Sequence, residues 1–254
     1  MTRSSGSLRS AASTCVLLGV LTAAFGCGSG NNGEEAKNNM TVTKGTKDST
    51  TTRTAQVSTT GGNPVVLFFG TSLTAGLGLE PDQAFPALIE KKAAAEGMPI
   101  TAVNAGLSGE TTAGAARRID WVLRTPADLV VIEGGANDAL RGLSPDAARS
   151  NLERVIATIK EKQPTAKIVL LQMEAPPNYG VPYTRSFHAI YPDIAKKESI
   201  PLAPFFLDGV AGIPRYNQAD GVHPNVAGER LVADNVWKAL KPVVAQLDRV
   251  AKRG

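Results

Sequence analysis

Val65-Val66-Leu67-Phe68-Phe69-Gly70-Thr71-Ser72 is the stretch from which the fold can be read. Its apolar residues stand in a row between Pro64 and Gly70, without the alternation of a half-solvated strand. Such a run fits a strand buried on both faces, as in a parallel sheet covered by helices on each side. Comparable runs follow at Ile100 to Val103, Leu129 to Ile132, Ile168 to Leu171 and Pro201 to Phe205. Helical patterns separate them, at Ala84 to Glu96, Thr112 to Leu123, Pro145 to Lys162 and Tyr183 to Glu198, and a long last one covers Ala227 to Val250. Neighbouring parallel strands need crossovers of this kind. The expectation is an α/β fold: a three-layer α/β/α sandwich around a flavodoxin-like parallel sheet of about five strands in the order 2-1-3-4-5. Open sheets bind ligands beyond the carboxyl ends of their strands, so the loops after the strands should carry the chemistry.

Those loops are specific. The first reads Gly70-Thr71-Ser72-Leu73-Thr74-Ala75-Gly76, the second runs from Asn104 to Thr111, and the third is Gly134-Gly135-Ala136-Asn137-Asp138. Past the fifth strand comes Asp220-Gly221-Val222-His223-Pro224-Asn225. The chain has two histidines, and His188 sits in an ordinary amphipathic helical pattern. An imidazole base therefore falls to His223. Asp220, three residues earlier, can reach Nδ1 and leave Nε2 free to take a proton from Ser72. In a 2-1-3 order Ser72 is flanked by Gly109 and Asn137, so Ser72 N–H, Gly109 N–H and the Asn137 amide can converge on one oxyanion. Pro224 biases His223 towards an extended backbone and keeps it out of the helix that follows. Each segment alone has a plainer reading: a helix cap, a glycine turn, a capped loop, a surface pair. Together they fill the four loops that one site requires. The phosphate loop, the dinucleotide loop and the Gly-x-Ser-x-Gly elbow are missing from the sequence.

The four segments resemble the four blocks of the SGNH (GDSL) hydrolases, at Ser72, Gly109, Asn137 and His223. The similarity covers nearly all of Val65 to Val244. Glu133 to Arg141, Asn178-Tyr179-Gly180, Ala189-Ile190-Tyr191-Pro192 and Pro204-Phe205-Phe206 resemble the branch of bacterial thioesterase I, lysophospholipase L1 and arylesterase. The resemblance implies a serine esterase with a Ser72–His223–Asp220 triad, working as a monomer on acyl esters or thioesters such as aryl esters and lysophospholipids. It implies no cofactor and no metal, and it assigns Asn178, Tyr179 and Gly180 to the flank of an acyl groove. One position departs from the pattern: Thr71 stands where the family motif carries Asp. Two other functions remain compatible with the sequence, a carbohydrate O-deacetylase of the same fold and a catalytically silent lipid-binding lipoprotein.

The N-terminal part has another character. Arg3 and Arg9 precede an apolar run from Ala11 to Phe25, about 15 residues against the ~20 that span a bilayer. With Ala23-Ala24-Phe25-Gly26-Cys27 at its end, the stretch resembles a bacterial lipoprotein signal cleaved before Cys27, which would receive the lipid. Ala24-Phe25-Gly26 also suits ordinary signal peptidase, leaving a secreted protein as the alternative. The expected organisation is a signal peptide at 1–26, a disordered tether at 27–63 poor in core-forming residues, and the hydrolase domain at 64–254. Cys15 leaves with the leader and Cys27 remains alone, so neither an internal disulfide nor a cysteine zinc site is expected. The net charge of +4 comes mostly from the N-terminal part: from Pro64 onward 21 Lys and Arg stand against 20 Asp and Glu. That balance is not the footprint of a nucleic-acid binder. The expected location is the cell envelope, anchored through Cys27 or free in the periplasm or medium.

Overall fold

The computed structural model describes residues 62–251; the proposed leader, Cys27 and all but the last two residues of the proposed tether lie outside them. β1 (Val65–Gly70), β2 (Thr101–Gly106), β3 (Leu129–Ile132), β4 (Lys167–Leu171) and β5 (Leu202–Ala203) form one parallel sheet in the order β2-β1-β3-β4-β5. The elements between them are α1 (Ser72–Ala75), α2 (Phe85–Ala95), α3 (Thr112–Val122), α4 (Ala136–Leu140), α5 (Pro145–Lys162) and α6 (Val181–Glu198). α7 (Val226–Ala251) closes the fold. α2 pairs with α7, while α3, α5 and α6 pack in a row, giving the expected three layers.

Strand β1 shows why its sequence does not alternate. Phe68 meets the α2 layer, edge to face with Phe85 at 5.8 Å. Its neighbour Phe69 points the other way, and the Arg118 guanidinium of α3 lies 4.6 Å from its ring centroid. Both faces are covered, so both sets of side chains are apolar. Each buried phenylalanine contributes roughly 2–3 kcal/mol of transfer free energy.

Two expected strands differ in extent. The second begins one residue later than the apolar run and continues to Gly106, and it is half-exposed because β2 is the sheet edge. The fifth shrinks to two residues, with register pairs only at Leu170↔Leu202 and Leu171↔Ala203. Two short helices, α1 and α4, stand where loops were expected. With four and five residues, neither completes enough turns to leave a periodic pattern. α2 lacks a side-chain cap of its own; Glu229 of α7 accepts the Phe85 N–H at 2.8 Å and serves in its place.

Candidate active site

Ser72 opens α1 directly after β1, at the carboxyl edge of the sheet. Thr71 is the N-cap, its hydroxyl accepting the Leu73 N–H. The same residue binds Glu133, just past β3: its N–H donates to Oε2 at 2.6 Å and its hydroxyl at 2.9 Å. Thr74 adds a third donor to that carboxylate at 3.0 Å. Glu133 is buried, and burial pushes its carboxyl above the usual range although all three donors pull it down. Gly70 is required by close approach, because a β-carbon there would overlap Thr74 Oγ1 and crowd Glu133 Oε2. Ser72 therefore stands on a dense buried shelf.

His223 reaches Ser72 from the loop before α7. Its Nε2 lies 2.8 Å from Ser72 Oγ and its Nδ1 lies 2.6 Å from Asp220 Oδ2. The other Asp220 oxygen accepts the N–H groups of Val222 at 2.9 Å and His223 at 3.0 Å. The bond from His223, backed by these backbone donors, lowers the Asp220 carboxyl to about 2. Because an ionised carboxylate only accepts, Nδ1 carries the proton and Nε2 is left to accept from Ser72. His188 is elsewhere, on α6 with Nδ1 2.7 Å from Glu174.

Gly109 and Asn137, the expected oxyanion donors, line the same cavity as Ser72 and His223. Gly109 has φ 77°, a conformation that glycine adopts without strain, and its carbonyl accepts from Arg141 Nη2 at 3.1 Å, which fixes the plane of the peptide that follows. Asn137, in α4, lines the cavity and donates its side-chain amide to the Glu110 carbonyl at 3.0 Å. Asp138 beside it binds Thr112 through both oxygens, to the N–H at 2.8 Å and the hydroxyl at 2.6 Å. Glu110 is clamped in turn by Arg118, at 2.6 and 2.8 Å, and the same guanidinium donates to Ala105 and Gly70 carbonyls. Arg118 thus ties the Gly109 loop to the strand end that carries Ser72. Its sequence signal was weak, a basic residue within an amphipathic helix. Glu133 left a clearer one, a carboxylate ending a fully apolar strand.

Ser72, Gly109, Asn137 and His223 line one cavity of about 250 Å³, with Leu73, Leu77, Ala136, Leu140 and Val222 as its apolar walls. Asn178, Tyr179 and Gly180 are not among the lining residues. Tyr179 instead donates its hydroxyl to the Leu140 carbonyl at 2.8 Å and so buttresses a wall. Asp220 likewise lies outside the cavity, behind the histidine.

The model of the GDSL-like Lipase/Acylhydrolase family matches residues 68–231, more than half of the chain. Esterase TesA of Pseudomonas aeruginosa strain PAO1 is 42% identical over 181 residues, 70% of this chain and 89% of that protein. Thioesterase 1/protease 1/lysophospholipase L1 of Escherichia coli K12 is 36% identical, across 70% of this chain and 84% of its own. Among solved structures, the psychrotrophic esterase EstA from Pseudoalteromonas sp., inhibited by monoethylphosphonate, matches with a TM-score of 0.68 at 32% identity. That match covers 72% of this chain and all of the other. The chain belongs to the GDSL-like lipase/acylhydrolase family and is a carboxylic ester hydrolase.

Proposed function

We propose that the protein hydrolyses acyl esters through an acyl-Ser72 intermediate, with His223 as general base and Asp220 as the acid that orients it. The continuous hydrogen-bonded chain from Ser72 Oγ through the imidazole to Asp220 carries this reading. Ser72 Oγ attacks the acyl carbon while His223 Nε2 takes its proton. The negative charge moves to the carbonyl oxygen, where the N–H groups of Ser72 and Gly109 and the Asn137 amide receive it. Collapse breaks the bond to the leaving oxygen or sulfur, which takes the proton from His223. Water then repeats the sequence on the acyl-enzyme, and the carboxylic acid departs. Asp220 keeps its negative charge throughout and stabilises the imidazolium.

The apolar walls at Leu73, Leu77, Leu140 and Val222 favour a hydrocarbon acyl chain over an acetylated sugar. Aryl esters and lysophospholipids fit, and the named relatives support that class. The signal-like N-terminus supports a cell-envelope enzyme held by a lipid on Cys27. Palmitate labelling that disappears in Cys27→Ala is the expected result, and unlabelled wild type would leave a secreted form.

Hydrolysis of p-nitrophenyl esters from acetyl to palmitoyl, with Ser72→Ala alongside, tests the activity. Turnover should peak above acetyl and fall by about 10⁵-fold in the variant. A peak at acetyl alone would favour a deacetylase, and turnover that survives in Ser72→Ala would remove Ser72 from the chemistry.

A further inference from the structure

The exposed apolar residues are not scattered. Leu77, Leu140 and Val222 line the cavity and are nonetheless 44%, 45% and 39% exposed. Beyond the cavity, Leu107, Leu143, Tyr179 and Val181 are exposed on the same carboxyl edge of the sheet, supplied by the connections after β2, β3 and β4. Among the described residues only one other large apolar side chain is exposed, Trp121 on α3. Direct contacts knit the collar together. Tyr179 binds the Leu140 carbonyl, Tyr183 binds that of Leu143 at 2.8 Å, and the two tyrosine rings pack at a tilt of 41° with centroids 5.1 Å apart. Arg141 joins the Leu140 side to the loop of Leu107 through the Gly109 carbonyl. Exposed apolar residues gathered at one edge around a cavity, as these are, mark a surface with a partner.

We infer that this collar docks on a lipid surface and that the enzyme draws its ester substrate from that surface. The inference rests on the acyl-esterase reading above, since the collar is continuous with the cavity that would take the acyl chain. The chain outside the described residues supplies the second argument. About 36 residues separate the proposed lipid-bearing Cys27 from Asn63, a contour of roughly 120 Å. β1 begins at the sheet edge opposite the collar and is six residues long, about 20 Å of strand. A tether of that length lets the domain turn its catalytic edge back to the membrane that holds Cys27. The occupant is thus the apolar boundary of a bilayer, reached by side chains that bury without a charge partner.

The test uses the full chain and the triple variant Leu107→Ser, Leu143→Ser, Val181→Ser, which leaves every cavity-lining residue in place. Hydrolysis of p-nitrophenyl octanoate is compared in solution and in phosphatidylcholine vesicles. The variant should keep its solution rate within about twofold and lose about tenfold or more on vesicles. Equal vesicle rates for the two proteins would overturn the docking. Amide hydrogen exchange gives a readout independent of turnover: segments 106–111 and 140–145 should slow when vesicles are added to wild type. Exchange unchanged by vesicles would also overturn it. So would protection that rises with protein concentration alone, which would assign the collar to a second copy. Failure of the esterase reading would appear separately, as a folded wild type without solution turnover.

Discussion

The two ends of the Ser72–His223–Asp220 chain are built in opposite ways. At the histidine end every supporting bond lies within four residues: Asp220 binds the Val222 and His223 N–H groups with one oxygen and the imidazole with the other. Its side chain is nearly half-exposed, and hydrogen bonds drive its carboxyl down to about 2. At the serine end the support is remote and buried. Thr71 and Thr74 meet Glu133 across 62 and 59 residues of sequence, and burial drives that carboxyl up. One carboxylate is held charged against the His223 imidazole; the other is a structural acceptor sealed under Ser72. A local, solvated device can lose its charge at little cost to folding stability, whereas a buried one makes its charge or its absence a matter of stability.

The largest effect should come from the exposed end. Asp220→Asn keeps an oxygen for the two backbone donors but offers an amide to the imidazole and favours the wrong tautomer. kcat should fall by about 10³ to 10⁴-fold with a melting temperature within about 2 °C of wild type. A drop of less than tenfold would show that Asp220 does not orient His223. The buried end should respond in the reverse sense. Glu133→Ala leaves three donors without their acceptor, at a cost of about 3 kcal/mol in folding stability read by urea denaturation. Activity of the molecules that remain folded should fall far less than in Asp220→Asn. If kcat falls further than stability, the shelf takes part in catalysis more directly than its geometry implies.

The same contrast decides what could be read from the sequence. The Asp220–His223 pair was legible because three residues of separation bring the groups into one turn. With His188 in an ordinary helix, His223 had no competitor for the role of base. Parallel strands declared themselves through apolar runs separated by helical crossovers, and the expected order 2-1-3-4-5 is the one observed. Edges were harder: β2 is half-exposed because it has one neighbour, and the lone polar Thr101 in Ile100 to Val103 is a faint sign of it. Glu133 stood out as a carboxylate ending an apolar strand, but its partners and those of Arg118 are set by tertiary packing and were not legible. The bond from Tyr179 to the Leu140 carbonyl, which sets an expected groove residue against a wall of the cavity, has the same origin.

Thr71, which stands where the family motif carries Asp, sharpens the comparison through a smaller effect. Its hydroxyl caps α1 and donates to Glu133, so it serves both neighbours without a charge. In Thr71→Asp a second carboxylate would face one whose folded-state carboxyl already titrates above its ordinary value. The pair would hold a proton more tightly than the unfolded chain does. Its stabilising contribution is then fully present below the ordinary carboxylate range and is lost as pH rises through the raised folded-state titration. The variant should match wild type near pH 4 and fall behind by about 1–2 kcal/mol at pH 8, read as melting temperature against pH. Turnover should stay within about tenfold, since neither carboxylate touches the reacting atoms. A pH-independent difference would mean that the new side chain turns away from Glu133, and a rise in activity of several orders of magnitude would give position 71 a catalytic part.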